Sequence, residues 1–344
     1  MVLKDSKEVR TSFGEVFSRT RRPKNAFKRL DISRTVRRIE GKYSSSGRGR
    51  PRYPVRAMLL ALMLMYLLQI PSVSMLSIHL CRHQEYALLC GFNGKTPDRT
   101  TFSKFIKRAG PGTIEGVFRE LRSQALKMGL YGRGRVDIAI DSTFIHAYSR
   151  RKRKAGVSDR GARVGKVERT TYALGWRVHT VATQERLPLT YMVRQANVND
   201  KVPAPKLLIE AVRLLHRAGL SIRLLIADAQ YYWRELFKLS RWLGIKPVIP
   251  APPQIKKPLI NLRVKHGFIA EGDPELVRQY HKRMIVEHVF KHGKERLNLD
   301  NLRWRGAAKV RMHVALCYSA ILAAAITAHK MERPELTHSI KAFQ

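Results

Sequence analysis

The chain of 344 residues carries 66 Lys and Arg against 26 Asp and Glu, a net charge of +40, and 44% of its residues are hydrophobic. This apolar fraction excludes an intrinsically disordered chain, and 3 cysteines without metal-ligand spacing exclude a disulfide scaffold. The charge predicts a polyanionic partner, and nucleic acid fits better than a membrane. The apolar runs at residues 57–68 and 314–328 are shorter than the roughly 20 residues of a membrane-spanning helix, so we expect core helices.

The first 52 residues are polar and basic, with 16 Lys and Arg against 5 Asp and Glu. They end in a Ser-, Gly- and Pro-rich segment that is typical of a linker, so we predict a basic N-terminal arm and linker over residues 1–52. A solvated tail and an arm that contacts DNA are both consistent with this composition. The first ten residues lack an apolar stretch, so we expect no secretory signal and a cytoplasmic protein with free thiols.

Residues 53–130 are predicted to form an α-helical domain that contains a basic helix. Its apolar residues recur at helical spacing, at Phe102, Phe105, Ile106 and Ala109. A short basic helix after a tight turn is typical of a helix-turn-helix recognition helix, although any solvated helix in a basic protein has the same pattern. The DNA contacts expected here are Arg99, Lys104, Lys107 and Arg108.

From residue 135 the pattern changes to alternating strands and helices. Strands are predicted at residues 135–140, 172–183, 189–194, 222–227 and 246–249, and helices at residues 206–218, 231–243 and 275–297. This order predicts a mixed α/β sheet, in a domain over residues 131–330 that is followed by a C-terminal tail over residues 331–344.

A strongly basic stretch follows the first predicted strand, with nine Lys or Arg between residues 150 and 169. A solvated loop is the simplest interpretation. In a protein that grips DNA, we expect Arg151 and Lys152 in this loop to contact phosphates.

Three carboxylates in this acid-poor chain are candidates for catalysis. Asp141 and Asp228 each follow an apolar strand, where open α/β sheets place their sites, and Glu287 lies in the long predicted helix. Converging carboxylates can hold two Mg²⁺ ions, which clamp the attacking and leaving oxygens of a phosphodiester. Asp137, on the same side of the strand as Asp141, is either an alternative first ligand or a partner of a basic side chain.

A narrow polar stripe runs down the predicted Glu287 helix. At about 100° per residue, Tyr280, Arg283 and Lys294 all lie within about 40° of Glu287. Polar groups on an otherwise apolar helix must be paired or coordinate something, so a ladder of ion pairs is the alternative to a catalytic site. Arg and Lys supply charge-assisted contacts to phosphate, and Tyr supplies a hydroxyl or a stacking face.

The pattern Tyr280-x2-Arg283-x3-Glu287-x6-Lys294 resembles the Tyr-Arg-Glu-Lys signature of DDE transposases from prokaryotic insertion sequences. Asp141-Ser-Thr143, Gly175-Trp-Arg-Val-His179 and Asp228-Ala-Gln-Tyr231 are similar to further motifs of this family, in the same order. Residues 53–105 also resemble the family's N-terminal helical domain. The resemblance covers residues 53–328, most of the chain.

The resemblance implies a ribonuclease H-like α/β catalytic domain in which Asp141, Asp228 and Glu287 bind two Mg²⁺ ions, with Mn²⁺ as an expected substitute. It implies cleavage at the element's ends, followed by attack of the released 3′ hydroxyls on a target duplex. Tyr280, Arg283 and Lys294 would hold DNA phosphates beside the site. The implied partners are double-stranded DNA and a second copy of the chain, as a homodimer on paired ends.

Two alternative functions stay open: a metal-dependent nuclease or resolvase of the same fold, and a DNA-binding derivative without catalysis. The histidines His146, His179, His288 and His292 lack zinc spacing, so we expect structural or phosphate-contacting roles. Tyr231, Tyr232 and Trp233 follow the second Asp and are interpreted as core residues, with base stacking as the alternative.

Overall fold

The protein is described by a computed structural model over residues 30–43, 51–149, 151–152, 156–167, 170–265 and 270–343. The α-helices are α1 Ser33–Glu40, α2 Val55–Leu67, α3 Val73–Arg82, α4 Gln84–Cys90, α5 Arg99–Ala109, α6 Pro111–Ile114, α7 Gly116–Lys127, α8 Ala204–His216, α9 Arg234–Trp242, α10 Pro274–His281, α11 Met284–Lys291 and α12 Ala307–Lys330. Short 3₁₀ turns lie at Ala229–Tyr231, Pro334–Leu336 and Ile340–Phe343, and a π-helical turn lies at His292–Arg296.

The strands are β1 Arg135–His146, β2 Arg151–Lys152, β3 Gly156–Val157, β4 Arg163–Lys166, β5 Tyr172–Thr183, β6 Pro188–Gln195, β7 Ser221–Ala227, β8 Lys246–Val248, β9 Leu262–Val264 and β10 Ala270–Gly272. Six of them form a mixed sheet in the order β4-β5-β1-β7-β8, with β6 also paired to β5. β1 is antiparallel to β5 and parallel to β7. The predicted mixed α/β fold behind a helical N-terminal region is confirmed.

Two apolar helices form the centre of the core, as predicted. Eighteen residues of α12 are buried, and α12 packs against α2, α7 and β6. Helix α12 is long and apolar enough to cross a membrane, but 94% of its apolar stretch is buried inside the protein, as in a core helix. A buried hydrogen bond of 2.8 Å between the Tyr66 hydroxyl and His313 Nδ1 joins α2 to α12.

The segment predicted as a basic arm contains a packed helix. Leu30, Ile32 and Ile39 are buried, and α1 packs against α2 and α7. The Glu120 carboxylate accepts from the backbone N–H of Arg34 at 2.9 Å, close to the start of α1. The apolar residues among the basic ones therefore pack this segment against the helical region. A count of its charges does not reveal this packing. Residues 1–29 and 44–50 of the predicted arm and linker lie outside the described residues.

The prediction of one long helix over residues 275–297 is wrong, because the chain forms α10, α11 and a π-helical turn instead. Asp273 caps α10 by accepting from Glu275 N and Leu276 N, with Pro274 at the first helical position. At the break, Arg283 N donates to Tyr280 O and Ile285 N donates to Lys282 O, which tightens the turn. The break changes where side chains on the predicted stripe point.

Candidate active site

Asp141 lies where β1 loses one of its two neighbours. The predicted strand end at residue 140 is wrong, because β1 continues to His146 beside β5. The parallel partner β7 stops at Ala227, which is level with Ile140, and Asp228 follows it directly. Asp141 and Asp228 therefore sit side by side at the carboxyl end of β7, as the sequence predicted.

Both aspartates are held by backbone N–H groups. Asp141 Oδ1 accepts from Ser142 N at 2.7 Å, and Asp228 Oδ1 accepts from Gln230 N at 2.9 Å, where it caps the short 3₁₀ turn. Burial raises the pKa of the Asp141 carboxyl, and the neighbouring Asp228 raises it further. Burial also raises the pKa of Asp228, against the opposing effect of Arg283. Both carboxyls therefore hold their protons more tightly than exposed aspartates do.

Arg283 faces these carboxylates from the break between α10 and α11. Its Nη1 lies 3.3 Å from Asp141 Oδ2, and its Nη2 lies 2.6 Å from Glu287 Oε1. The guanidinium thus lies between the first and third predicted acids. Among the described residues, no group of three or more His, Cys, Asp or Glu side chains is close enough to hold a metal ion. The metal-binding role of Asp141, Asp228 and Glu287 stays a prediction.

The rest of the predicted stripe divides at the helix breaks. Tyr280 is buried, and its ring lies 5.9 Å from Arg283 Cζ, so both belong to the site. Burial raises the pKa of the Tyr280 hydroxyl. Lys294 lies in the π-helical turn and pairs with Asp300 at 3.5 Å. The ion-pair interpretation therefore holds in part for the stripe, through Arg283 with Glu287 and Lys294 with Asp300.

Behind Asp141 lies a buried polar cluster that the sequence analysis missed, centred on Asp200. Its carboxylate accepts from Ser142 Oγ at 2.9 Å and Arg177 Nη1 at 3.4 Å. His179 Nδ1 lies 3.5 Å from Asp200, and burial lowers the pKa of His179 to about 3, so the ring is neutral. Asp200 lies five residues beyond the end of β6, so neither a strand end nor a motif marks it in the sequence.

The glycine of the Gly175-Trp-Arg-Val-His179 motif has a packing role. A Cβ at Gly175 would lie 2.4 Å from both Ile145 O and a Phe144 ring carbon, so a larger residue would separate β5 from β1. Asp137, the alternative first ligand, instead pairs with Arg223 Nη2 at 2.6 Å and Lys282 Nζ at 2.8 Å. Asp137 is therefore the partner of basic side chains.

The aromatic residues after Asp228 are mostly internal. Tyr231 is fully buried, and Tyr232 accepts from Leu259 N at 2.6 Å. Trp233 keeps 37% of its surface exposed. Core packing thus accounts for the first two and leaves Trp233 at the surface.

The basic helix forms as predicted, as α5. Asp98 caps it by accepting from Thr101 N at 2.6 Å, and the apolar positions Phe102, Phe105, Ile106 and Ala109 are buried. The predicted DNA contacts are all exposed, at Arg99, Lys104, Lys107 and Arg108. Arg151 and Lys152 form β2, which pairs with β3, and their side chains lie outside the described part of the structure.

Two family patterns match this chain. The family described as "Transposase DDE domain" matches residues 132–323, and the family described as "Transposase domain (DUF772)" matches residues 12–108. The fold, the paired aspartates and this match, which covers more than half of the chain, define one class of protein. The chain belongs to the DDE transposase family.

One solved structure is similar over much of its length. It is described as "Cryo-EM structure of piggyBac transposase synaptic complex with hairpin DNA", with 11% sequence identity and a TM-score of 0.47. The similarity covers 92% of this chain and 79% of that one. No curated protein matches the chain.

Proposed function

We propose that this protein is the transposase of a prokaryotic insertion sequence. It binds the terminal inverted repeats of its element and catalyses metal-dependent DNA strand cleavage and strand transfer. The observation that carries the proposal is the pair of Asp141 and Asp228 on neighbouring strands, with Arg283 facing them from the segment that bears Glu287. Membership of the DDE transposase family supports the same chemistry.

The carboxylates Asp141, Asp228 and Glu287 would hold two Mg²⁺ ions, with Mn²⁺ as a substitute. Their oxygen donors suit a hard cation. Burial raises the pKa of Asp141 and Asp228, and a bound cation would favour their ionised forms. When bound, the ions would activate the attacking oxygen and stabilise the leaving oxygen of a phosphodiester.

Arg283 supplies positive charge to the carboxylates in the protein alone. Once cations take that place, its planar guanidinium is available for a DNA phosphate, because Arg pairs with carboxylate and phosphate in the same bidentate geometry. We propose that Tyr280 and Lys294 contact the same stretch of the DNA phosphate backbone. Tyr280 stands beside Arg283, and Lys294 is one-third exposed, with 35% of its side chain accessible.

The exposed cations of α5 would bind the element's ends: Arg99, Lys104, Lys107 and Arg108. Arg151 and Lys152 would contact phosphates near Asp141. This assigns α1 and residues 53–130 to DNA binding, residues 131–330 to catalysis and residues 331–344 to a tail. The acting form would be a homodimer on paired ends, in the cytoplasm at the nucleoid.

Strand transfer is the activity that separates this proposal from a nuclease or resolvase of the same fold. The protein should be incubated with Mg²⁺, a labelled duplex that ends in the element's terminal repeat, and a plasmid target. We expect labelled ends joined to the plasmid through their 3′ hydroxyls. Cleavage without joined products would identify a nuclease, and specific binding without cleavage would identify an inactive DNA-binding derivative.

A further inference from the structure

Two arginines that precede α12 lie over one tyrosine that follows β1. Arg303 Cζ lies 5.4 Å from the centre of the Tyr148 ring, and Arg305 Cζ lies 5.3 Å from it. All three side chains are exposed. Among the described residues neither arginine has a carboxylate partner, whereas Arg283 has two. Two adjacent cations without a counter-charge are poised for an anion.

Hydrogen bonds fix the positions of these cations. Arg305 Nε donates to Tyr148 O at 3.0 Å, and Arg303 Nε donates to Asn301 Oδ1 at 2.9 Å. Both bonds use Nε, and no described residue takes the terminal guanidinium nitrogens of either arginine, which leaves them for a ligand. The aromatic ring holds the two guanidinium groups by cation–π attraction, so less side-chain entropy is lost when an anion binds.

The buried Asp159 anchors both segments that carry the cluster. Its carboxylate accepts from Gly306 N at 3.1 Å, directly after Arg305, and from Trp176 Nε1 at 3.1 Å. Asp159 N donates to Ser149 Oγ at 3.1 Å, directly after Tyr148. The cluster is therefore built on a rigid support that reaches β5 and α12.

The cluster also lies close to the candidate active site along the chain. Tyr148 follows Asp141 by seven residues, most of them in β1, so the two are at most about 25 Å apart at roughly 3.3–3.6 Å per residue. That distance equals about seven base pairs of a duplex at 3.4 Å each.

We infer that Tyr148, Arg303 and Arg305 form a phosphate-binding clamp for duplex DNA, which grips the backbone within about seven base pairs of the cleaved bond. This rests on the proposed function, since DNA is taken as the substrate. The clamp positions DNA and does not read its sequence, because guanidinium contacts to phosphate carry no base information.

The test compares the salt dependence of DNA affinity for the full-length wild type, Arg303→Gln/Arg305→Gln and the control Lys206→Gln/Arg213→Gln. The control removes the same charge from two exposed cations of α8. Each lost phosphate contact lowers the magnitude of the slope of log affinity against log salt by about 0.9. The slope of the clamp variant should therefore be smaller than that of the wild type by about 1.8, and the slope of the control by less than about 0.5. Equal slopes for the two variants would overturn the clamp.

A second pair of variants keeps both cations. We expect Tyr148→Phe to bind DNA as the wild type does, because the ring remains, and Tyr148→Leu to bind several-fold more weakly. Equal DNA affinity of these two variants would overturn the role of the ring. This test does not depend on the stability of the arginine variant. If the wild type shows no salt-dependent DNA binding, both the proposed function and the clamp are overturned. If the wild type shows salt-dependent binding and Arg303→Gln/Arg305→Gln has the same slope as the wild type, only the clamp is overturned.

Discussion

Burial disfavours the ionised forms of Asp141 and Asp228, the charge of Asp228 adds to this effect at Asp141, and Arg283 offsets only part of it. The folded protein therefore binds protons at these carboxyls more tightly than the unfolded chain does. By linkage, stability present at low pH is lost as the pH rises from about 4 through the raised pKa values. A divalent cation would restore it by binding the folded state.

Thermal unfolding at pH 7 with and without Mg²⁺ tests this electrostatic balance. We expect metal-free Asp228→Asn to unfold at a higher temperature than metal-free wild type, by about 2 °C or more, because the neutral amide removes a buried charge. Mg²⁺ should raise the midpoint of the wild type and leave Asp141→Asn/Asp228→Asn unchanged. An equal Mg²⁺ effect on both proteins would contradict a metal site at this pair.

Asp137 is a buried acid whose pKa shifts in the direction opposite to that of Asp141 and Asp228, because two cations contact it. Burial works to raise its pKa, but hydrogen bonds from Arg223 and Lys282 outweigh burial and lower the pKa. Its stabilising contribution is therefore present above the unfolded pKa of about 3.9 and is lost as the pH falls through the lower folded value.

We expect Asp137→Asn to lower the free energy of unfolding at pH 7 by about 1–3 kcal/mol, the range for a charge-assisted hydrogen bond or an unpaired buried group. The exposed halves of Arg223 and Lys282 allow both cations to return to water, so the loss stays within this range. Urea unfolding measures it, and the difference from wild type should shrink as the pH falls through the lowered pKa of Asp137. A difference that persists there would exclude the ion pairs as its cause.

The residues that the sequence could identify are those tied to a regular element. Asp141 and Asp228 were predictable because apolar strands precede them, and the buried stripe of α5 followed from helical spacing. Asp200 was not predictable, since its partners Ser142, Arg177 and His179 come from β1 and β5, which only the antiparallel register brings together. The Tyr148 cluster was missed for the same reason, because 157 positions separate Tyr148 from Arg305.

The helices and strands around the site depart from the prediction at their ends. Periodicity predicted one helix for α10, α11 and the following turn, because apolar residues continue through the break. Local backbone hydrogen bonds at residues 280–286, which periodicity does not report, interrupt it. Likewise β1 extends beyond residue 140 because β5 supplies a partner there. Pairing between distant strands decides such ends.

Substitution of Gly293 tests how tightly the π-helical turn that carries Lys294 is packed. An added Cβ would lie 2.8 Å from Leu299 Cδ2, in a buried position, so Gly293→Ala should destabilise the protein by about 1–3 kcal/mol through overpacking. Gly112→Ala in α6 is the matched control, because its Cβ would meet only Glu115 Oε1 at 4.0 Å. Chemical denaturation of both variants measures the difference, and equal stabilities would contradict tight packing at this turn.

The net charge of +40 acts on the protein as a single field. It would attract a polyanion at a distance, and the exposed cations on α5 and before α12 are the groups we propose for contacts with phosphates. The net charge predicts a polyanionic partner but does not locate the surface that binds it. The fold, not the composition, decides which of the 66 basic residues are free of acidic partners.

DNA affinity measured between 50 and 200 mM salt tests this field. A protein that makes six to ten phosphate contacts loses roughly 10³–10⁵ in affinity over that range. We expect a loss of this size for the wild type, and a slope smaller by about 1.8 for Lys104→Gln/Lys107→Gln in α5. An unchanged slope in that variant, relative to Lys206→Gln/Arg213→Gln, would place the contact surface elsewhere.

The measurement that bears most directly on the carboxylate site is nicking of a terminal-repeat duplex in Mg²⁺ by wild type, Asp228→Asn and Asp273→Asn. Asp273→Asn is the matched control, since Asn caps α10 as well as Asp does and the residue is exposed. We predict metal-dependent nicking at the repeat boundary by the wild type and the control. Asp228→Asn should lose at least about 10²-fold in rate, or roughly 2.7 kcal/mol of transition-state stabilisation, while still binding the duplex. Nicking by Asp228→Asn at the wild-type rate would show that the paired aspartates are not the catalytic centre.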